Sequence, residues 1–193
     1  QSYFTRANGI EELTSTEVEN KRILLEPFSD NFISNDYLSW MKDNETTQFI
    51  KKAKRDISLD DLYSFANSMI LSKKDYFFAI VIKKNFHHIG NVRLGPIDFK
   101  SMKSGFGILI GDKNFHKLGI GTDVMELIKD FSFNYLQLNQ LCFHSVKSYV
   151  AAKKLYSKTG FKCLGELEET FDKNGKSWKL VEWMMKNPNP VNT

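Results

Sequence analysis

The segment that most constrains this chain joins an apolar stretch to its best helix: Asp112-Lys113-Asn114-Phe115-His116-Lys117-Leu118-Gly119-Ile120-Gly121-Thr122. Before it, Ser104 to Gly111 has the two-residue period of a strand. Phe106, Ile108 and Ile110 lie on one face, and Gly105, Gly107, Leu109 and Gly111 on the other. After it, Val124, Leu127, Ile128, Phe131 and Tyr135 recur at helical spacing, which predicts a helix over Gly119 to Leu136. Such a helix start presents unpaired N–H groups and a partial positive charge. Glycines at 119 and 121 let the backbone approach an anion, and a pyrophosphate suits such a turn. Lys117 and Thr122 could add a charge and a hydroxyl. A lone GxG also occurs in turns that bind nothing, and the GxxxxGK[ST] spacing of a phosphate loop is absent.

The remaining pattern is mixed. Arg22 to Glu26, stopped by Pro27, reads as a strand. Phe32, Ile33, Tyr37, Trp40 and Met41 read as a short helix, followed by an irregular polar stretch from Asn44 to Asp56. Ser58 is a good cap for a helix carrying Leu62, Phe65, Ala66, Met69 and Ile70. Tyr76 to Ile82 and His88 to Leu94 form a hairpin turning near Lys84-Asn85. Leu141 to Val146 is a strand, and Ala151 to Lys158 a helix stopped by Gly160. Phe161 to Phe171 and Ser177 to Met185 pair through a turn containing Asn174-Gly175. This is an α/β order with a helical crossover in its second half.

The 193 residues suit one domain, and 41% apolar and 13% aromatic residues can build its core. Twenty-seven basic against 23 acidic residues leave a net charge of +4, compatible with a phosphorylated ligand and too small to point to nucleic acid. Cys142 and Cys163 lie in apolar runs without CxxC spacing and are expected to be buried, reduced thiols in a cytoplasmic protein. No apolar run is long enough to span a bilayer. Residues 1–20, polar and with four glutamates, are expected to be a flexible arm or an expression remnant, not a signal peptide, and 188–193 a tail. No metal role is expected for His87-His88.

His116-x-x-Gly119-x-Gly121 before a long amphipathic helix resembles motif A of the GNAT acetyltransferases, [RQ]xxGx[GA]. Ala151 to Phe161, with Tyr156-x-x-x-Gly160-Phe161, resembles their motif B. Motif order, spacing and element order agree over residues 21–187. The resemblance implies a single GNAT domain: a mixed, mostly antiparallel sheet of about seven strands, flanked by helices, whose strands diverge at an acetyl-CoA cleft. His88-Ile89-Gly90-Asn91-Val92-Arg93-Leu94 and Gly107-Ile108-Leu109-Ile110-Gly111-Asp112 resemble the branch containing the ribosomal-protein N-terminal acetyltransferases. They look closer still to its relatives from bacterial surface-polysaccharide loci, which acetylate amino groups of nucleotide-linked sugars.

The resemblance assigns roles. The backbone of Ile108, Leu109 and Ile110 would pair with the pantetheine arm of acetyl-CoA, the co-substrate. The segment His116, Lys117, Leu118, Gly119, Ile120, Gly121 and Thr122 would hold the pyrophosphate. Tyr149, Ala152 and Lys153 would lie along the bound CoA, and Tyr156 would donate a proton to the departing thiolate. His116 replaces the usual Arg or Gln, and Tyr149 an Asn. Asp112 and His144 are the leading general-base candidates, with Glu166 and Glu182 behind them. Each also has a plainer role as a turn or packing residue, and ordered water serves some members instead.

The expected activity is acetyl transfer to a primary amine, on an amino-sugar nucleotide or a protein N-terminus. A non-catalytic acyl-CoA-binding module is the other class. No nucleic acid, membrane or metal partner is expected, and the chain would be a monomer or homodimer. The basic run Lys51, Lys52, Lys54 and Arg55 could face a nucleotide diphosphate or simply be solvated. The cluster Lys147, Lys153, Lys154 and Lys158 could meet the 3′-phosphate of CoA.

Overall fold

The computed structural model describes residues 5–6, 9–10, 18–47, 56–171 and 177–190. The basic run 51–55 and the turn residues Asn174-Gly175 lie outside them. In chain order the elements are β1 (Thr5–Arg6), β2 (Gly9–Ile10), β3 (Val18–Glu19), β4 (Ile23–Pro27), α1 (Asn35–Lys42), α2 (Asn44–Thr47), α3 (Leu59–Ile70), β5 (Tyr76–Ile82), β6 (His87–Leu94), β7 (Lys103–Ser104), β8 (Phe106–Ile110), α4 (Ile120–Asp130), β9 (Gln140–Val146), α5 (Val150–Lys158), β10 (Lys162–Phe171) and β11 (Ser177–Lys186).

Local chemistry sets several boundaries. Ser58 and Asp61 form a reciprocal capping box at the start of α3: the Asp61 N–H donates to Ser58 Oγ at 3.2 Å, and the Ser58 N–H to Asp61 Oδ2 at 3.0 Å. Ser34 caps α1 with a single bond, accepting from the Tyr37 N–H at 3.1 Å. The polar stretch expected to be irregular begins with a helical turn, α2. The helix expected to run to Leu136 is α-helical only to Asp130 and continues as a π-helical turn, Phe131–Tyr135. Phe131, Ser132 and Phe133 are all buried. A regular α-helix turns about 100° per residue and would swing one of them outward, and the wider turn keeps all three inside.

Two sheets meet in the middle of the chain. One is antiparallel in the order β3-β4-β5-β6-β8, and the other has the order β10-β11-β9-β7. β7 pairs in parallel with β9 (Ser104 with Leu141), whereas β8 pairs antiparallel with β6 (Gly107 with Arg93). The single strand expected over Ser104 to Gly111 is therefore two pieces. It changes sheets at Gly105, where a Cβ would stand 3.2 Å from the Cys142 carbonyl oxygen. Beyond that point β8 and β9 part, giving the expected divergence.

The helices cover both faces. α4 packs Val124, Met125 and Ile128 against Phe78, Ile80 and Val92, and α5 adds Leu155 and Tyr156 to the same core. α1 and α3 pack Tyr37, Trp40, Leu62 and Ala66 against Phe77, Ala79 and Val81 on the opposite face. Each fully buried large apolar side chain contributes about 1.5–3 kcal/mol. One burial expectation fails: Cys163, on edge strand β10, is exposed, and Cys142 is half-buried. Both are free thiols. Among the described residues, no helix is long and apolar enough to cross a membrane.

Candidate functional site

The divergence of β8 and β9 is closed at its base by an aromatic wedge. Phe106 and Phe143 have ring centroids 4.2 Å apart, and Tyr156 on α5 lies 4.7 Å from Phe143 and 5.4 Å from Trp183. Burial, with a smaller contribution from Tyr149, pushes the Tyr156 phenol up to about 12, so it stays protonated at neutral pH. Its hydroxyl has no hydrogen-bond partner among the described residues.

From this wedge β8 runs outward with one edge open. The Gly95 N–H donates to Gly105 O at 2.9 Å, and the Gly111 N–H to Ile89 O at 2.9 Å. Antiparallel alternation then directs the backbone groups of 105, 107, 109 and 111 toward β6, and those of 106, 108 and 110 toward the cleft. The backbones of Ile108 and Ile110 thus face the open edge. Leu109 does not: its backbone belongs to the ladder with β6 and its side chain packs against the α1–α3 core.

The turn after β8 leaves a row of backbone N–H groups open. No carbonyl or carboxylate accepts from the N–H groups of residues 117–121 among the described residues, and the first internal bond of α4 is from the Thr122 N–H to Gly119 O at 3.0 Å. Gly119 is left-handed at φ 81°, and Lys117 at φ 60°. A Cβ on Gly121 would lie 3.3 Å from Leu155 Cδ2, so the turn fits tightly against α5. His116, the departure from motif A, has a local job: its Nε2 hydrogen-bonds to Ile110 O at 2.8 Å and ties the turn to the end of β8. Leu118 is exposed, and its carbonyl accepts from Arg22 Nη1 at 3.0 Å.

The residues expected to lie along the CoA differ in exposure. Ala152 is buried. Tyr149 caps α5 and is half-exposed, and Lys153 is exposed. Lys154 and Lys158 are also exposed, but Lys147 is ion-paired with Glu166 and holds that carboxyl below its usual range.

The base candidates separate. Asp112 lies roughly 17 Å along the chain from Gly107, at about 3.3 Å per residue. Burial raises its pKa, but a hydrogen bond with His87 Nε2 at 2.8 Å and another from the Asn114 N–H at 3.0 Å outweigh it and hold the carboxyl low. This is a turn anchor, and Gly111 beside it has Trp40 so close that a Cβ would lie 2.1 Å from the indole. His144 stands near the wedge, on the face of β9 opposite Phe143. Its Nε2 is 3.9 Å from Glu182 Oε1, which also accepts from Cys142 Sγ at 3.2 Å. Among the described residues no group of three His, Cys, Asp or Glu side chains could hold a metal ion.

This geometry coincides with one family. The acetyltransferase (GNAT) domain model matches residues 22–162. The chain belongs to this family of acetyl-CoA-dependent acetyltransferases. The spermidine N-acetyltransferase of Vibrio cholerae, solved with CoA and spermine, superposes with a TM-score of 0.78 at 20% identity, covering 87% of this chain and 97% of that one. A GNAT-family acetyltransferase from Bacillus anthracis gives 0.78 at 13% identity, over 90% and 100% of the two chains. A GCN5-related N-acetyltransferase from Brucella melitensis gives 0.76 at 12% identity, over 93% and 82%. At these identities the likeness concerns the fold. No curated protein matches the sequence.

Proposed function

We propose that the domain over residues 21–187 moves the acetyl group of acetyl-CoA to a primary amine of an amino-sugar nucleotide, by direct attack in a ternary complex. The observation that carries the CoA reading is the row of N–H groups from Lys117 to Gly121, which have no partner among the described residues, beside the open edge of β8. The turn suits a pyrophosphate and the edge suits the amides of a pantetheine arm. The motif stretches 88–94 and 107–112 support the amino-sugar acceptor and the polysaccharide-locus branch. The free cysteines suit a reducing, cytoplasmic setting.

Tyr156 and His144 lie on opposite faces of the sheet at the wedge. In this reading the neutral amine attacks the thioester carbonyl from the His144 side. The carbon–sulfur bond breaks, the Tyr156 hydroxyl gives its proton to the CoA thiolate, and His144 Nε2 takes the proton lost by the amine nitrogen. Glu182 stabilises the resulting imidazolium. Mass spectrometry of 3-amino and 4-amino nucleotide sugars after incubation with acetyl-CoA tests the assignment. One acetylated sugar is expected. Unmodified sugars beside an acetylated peptide N-terminus would transfer the assignment to the ribosomal-protein-like activity.

A further inference from the structure

We propose that Arg93 sets acceptor specificity by binding an oxyanion, carboxylate or phosphate, carried by the amine substrate. This rests on the acetyl-transfer reading above and narrows its acceptor.

One transverse row crosses the sheets on the face opposite α4. Phe77 pairs with Arg93, and Arg93 with Gly107. Across the divergence, His144 pairs with Glu182. Ser104 pairs with Leu141 and Phe106 touches Phe143; the same register carried one residue further brings Gly107 opposite His144. On this register Arg93 and the His144–Glu182 pair lie on the same face, on either side of the divergence. Gly107 forms its floor: a Cβ built there meets nothing within 4 Å.

Arg93 is held so that one edge stays available. Its Nε donates to Asp75 Oδ1 at 2.7 Å, and Nη2 lies 2.5 Å from the same oxygen. Asp75 is buried, and its other oxygen accepts from Ser72 Oγ at 2.5 Å. Gly95 is required beside it, because a Cβ there would stand 2.2 Å from Asp75 Oδ1. The carboxylate therefore fixes the guanidinium by its Nε–Nη2 edge. Nη1 has no partner among the described residues, and the side chain is 38% exposed. A fixed guanidinium with a free edge matches a carboxylate or phosphate oxygen. An edge made only of N–H donors offers no acceptor to ammonium groups, so spermidine is a poor acceptor despite the likeness of fold.

The test compares kcat/KM for glucosamine 6-phosphate, an aminouronic acid, glucosamine and spermidine, in the parent and in the double variant Arg93→Gln/Asp75→Asn, which leaves no unpaired buried carboxylate. In the parent the two anionic sugars are expected to exceed glucosamine at least tenfold, with spermidine lowest. The double variant is expected to bring the anionic sugars within about twofold of glucosamine, with acetyl-CoA affinity unchanged. A parent preference for glucosamine or spermidine, or a ratio the variant leaves intact, overturns the proposal. Phosphate and carboxylate sugars reveal which oxyanion is read. If none of these four amines is turned over, the panel holds no acceptor of this enzyme, and acetyl transfer is judged on nucleotide sugars. Calorimetry with glucosamine 6-phosphate and CoA then decides Arg93: binding lost in the variant supports it, and absent or equal binding overturns it.

Discussion

Arg22, at the entry to β4, reaches across to Asp123 in the first turn of α4, with Nε 2.8 Å and Nη2 2.7 Å from Oδ2. Its Nη1 meanwhile holds the Leu118 carbonyl. A bare carboxylate in that turn would repel a pyrophosphate; Arg22 neutralises it and fixes the loop. Arg22→Ala is expected to weaken acetyl-CoA binding severalfold in calorimetry. The stability cost should be only about 0.5–1 kcal/mol, because the arginine is half-exposed and the pair is screened. Unchanged affinity would show that the loop holds its shape without the clamp.

Gly121→Glu places a carboxylate among the N–H groups of the turn and forces a Cβ to within 3.3 Å of Leu155. CoA binding is expected to fall beyond detection in calorimetry while the circular dichroism spectrum stays that of a folded protein. Retained affinity would remove the pyrophosphate from this turn.

Tyr156→Phe keeps the ring contacts with Phe143 and Trp183 and loses only the hydroxyl. kcat is expected to fall about 10²-fold or more, with acetyl-CoA affinity unchanged. Because the phenol titrates near 12, the parent enzyme should retain this acid across the whole neutral to mildly alkaline range. Parent-level turnover in the variant would assign the proton to another donor.

His88 is enclosed by Phe28, Phe32, Tyr37 and Trp40, with centroids 5.1–6.2 Å away, and its Nε2 bonds to Gly90 O and Asn91 Oδ1, each at 2.9 Å. Burial lowers its pKa below the ordinary 6.5 despite those bonds. Below pH 6.5 the unfolded chain therefore binds a proton that the folded one refuses. Stability should fall as pH drops from 6.5 toward the lower folded pKa and lose no more on this account beneath it. Melting curves from pH 7.5 to 5 test this. The fall should be shallower in His88→Gln, and an identical slope would discount His88.

The site was legible where backbone chemistry writes itself into residue type. Glycines 119 and 121, the following amphipathic stripe and Tyr156 before Gly160-Phe161 located the turn and the acid candidate. Local patterning could not reveal that Ser104 to Gly111 serves two sheets, because Gly105 reads equally as a weak strand position. Nor could it show that Leu109 bonds inward, which depends on the phase of the ladder. Arg22, Arg93 and Glu182 gain their roles from partners 101, 18 and 40 residues away, Asp123, Asp75 and Cys142. Asp112 looked like a base by its position at a strand end, but its engagement by His87 is a tertiary contact.

The most direct test of the central claim is acetyl-CoA-dependent thiol release by the parent protein against 3-amino and 4-amino nucleotide sugars, N-terminal peptides and spermidine. Saturable release with a nucleotide-linked amino sugar is the predicted result. Release with none of these amines, together with no rise in melting temperature on adding acetyl-CoA, would contradict the cleft assignment itself.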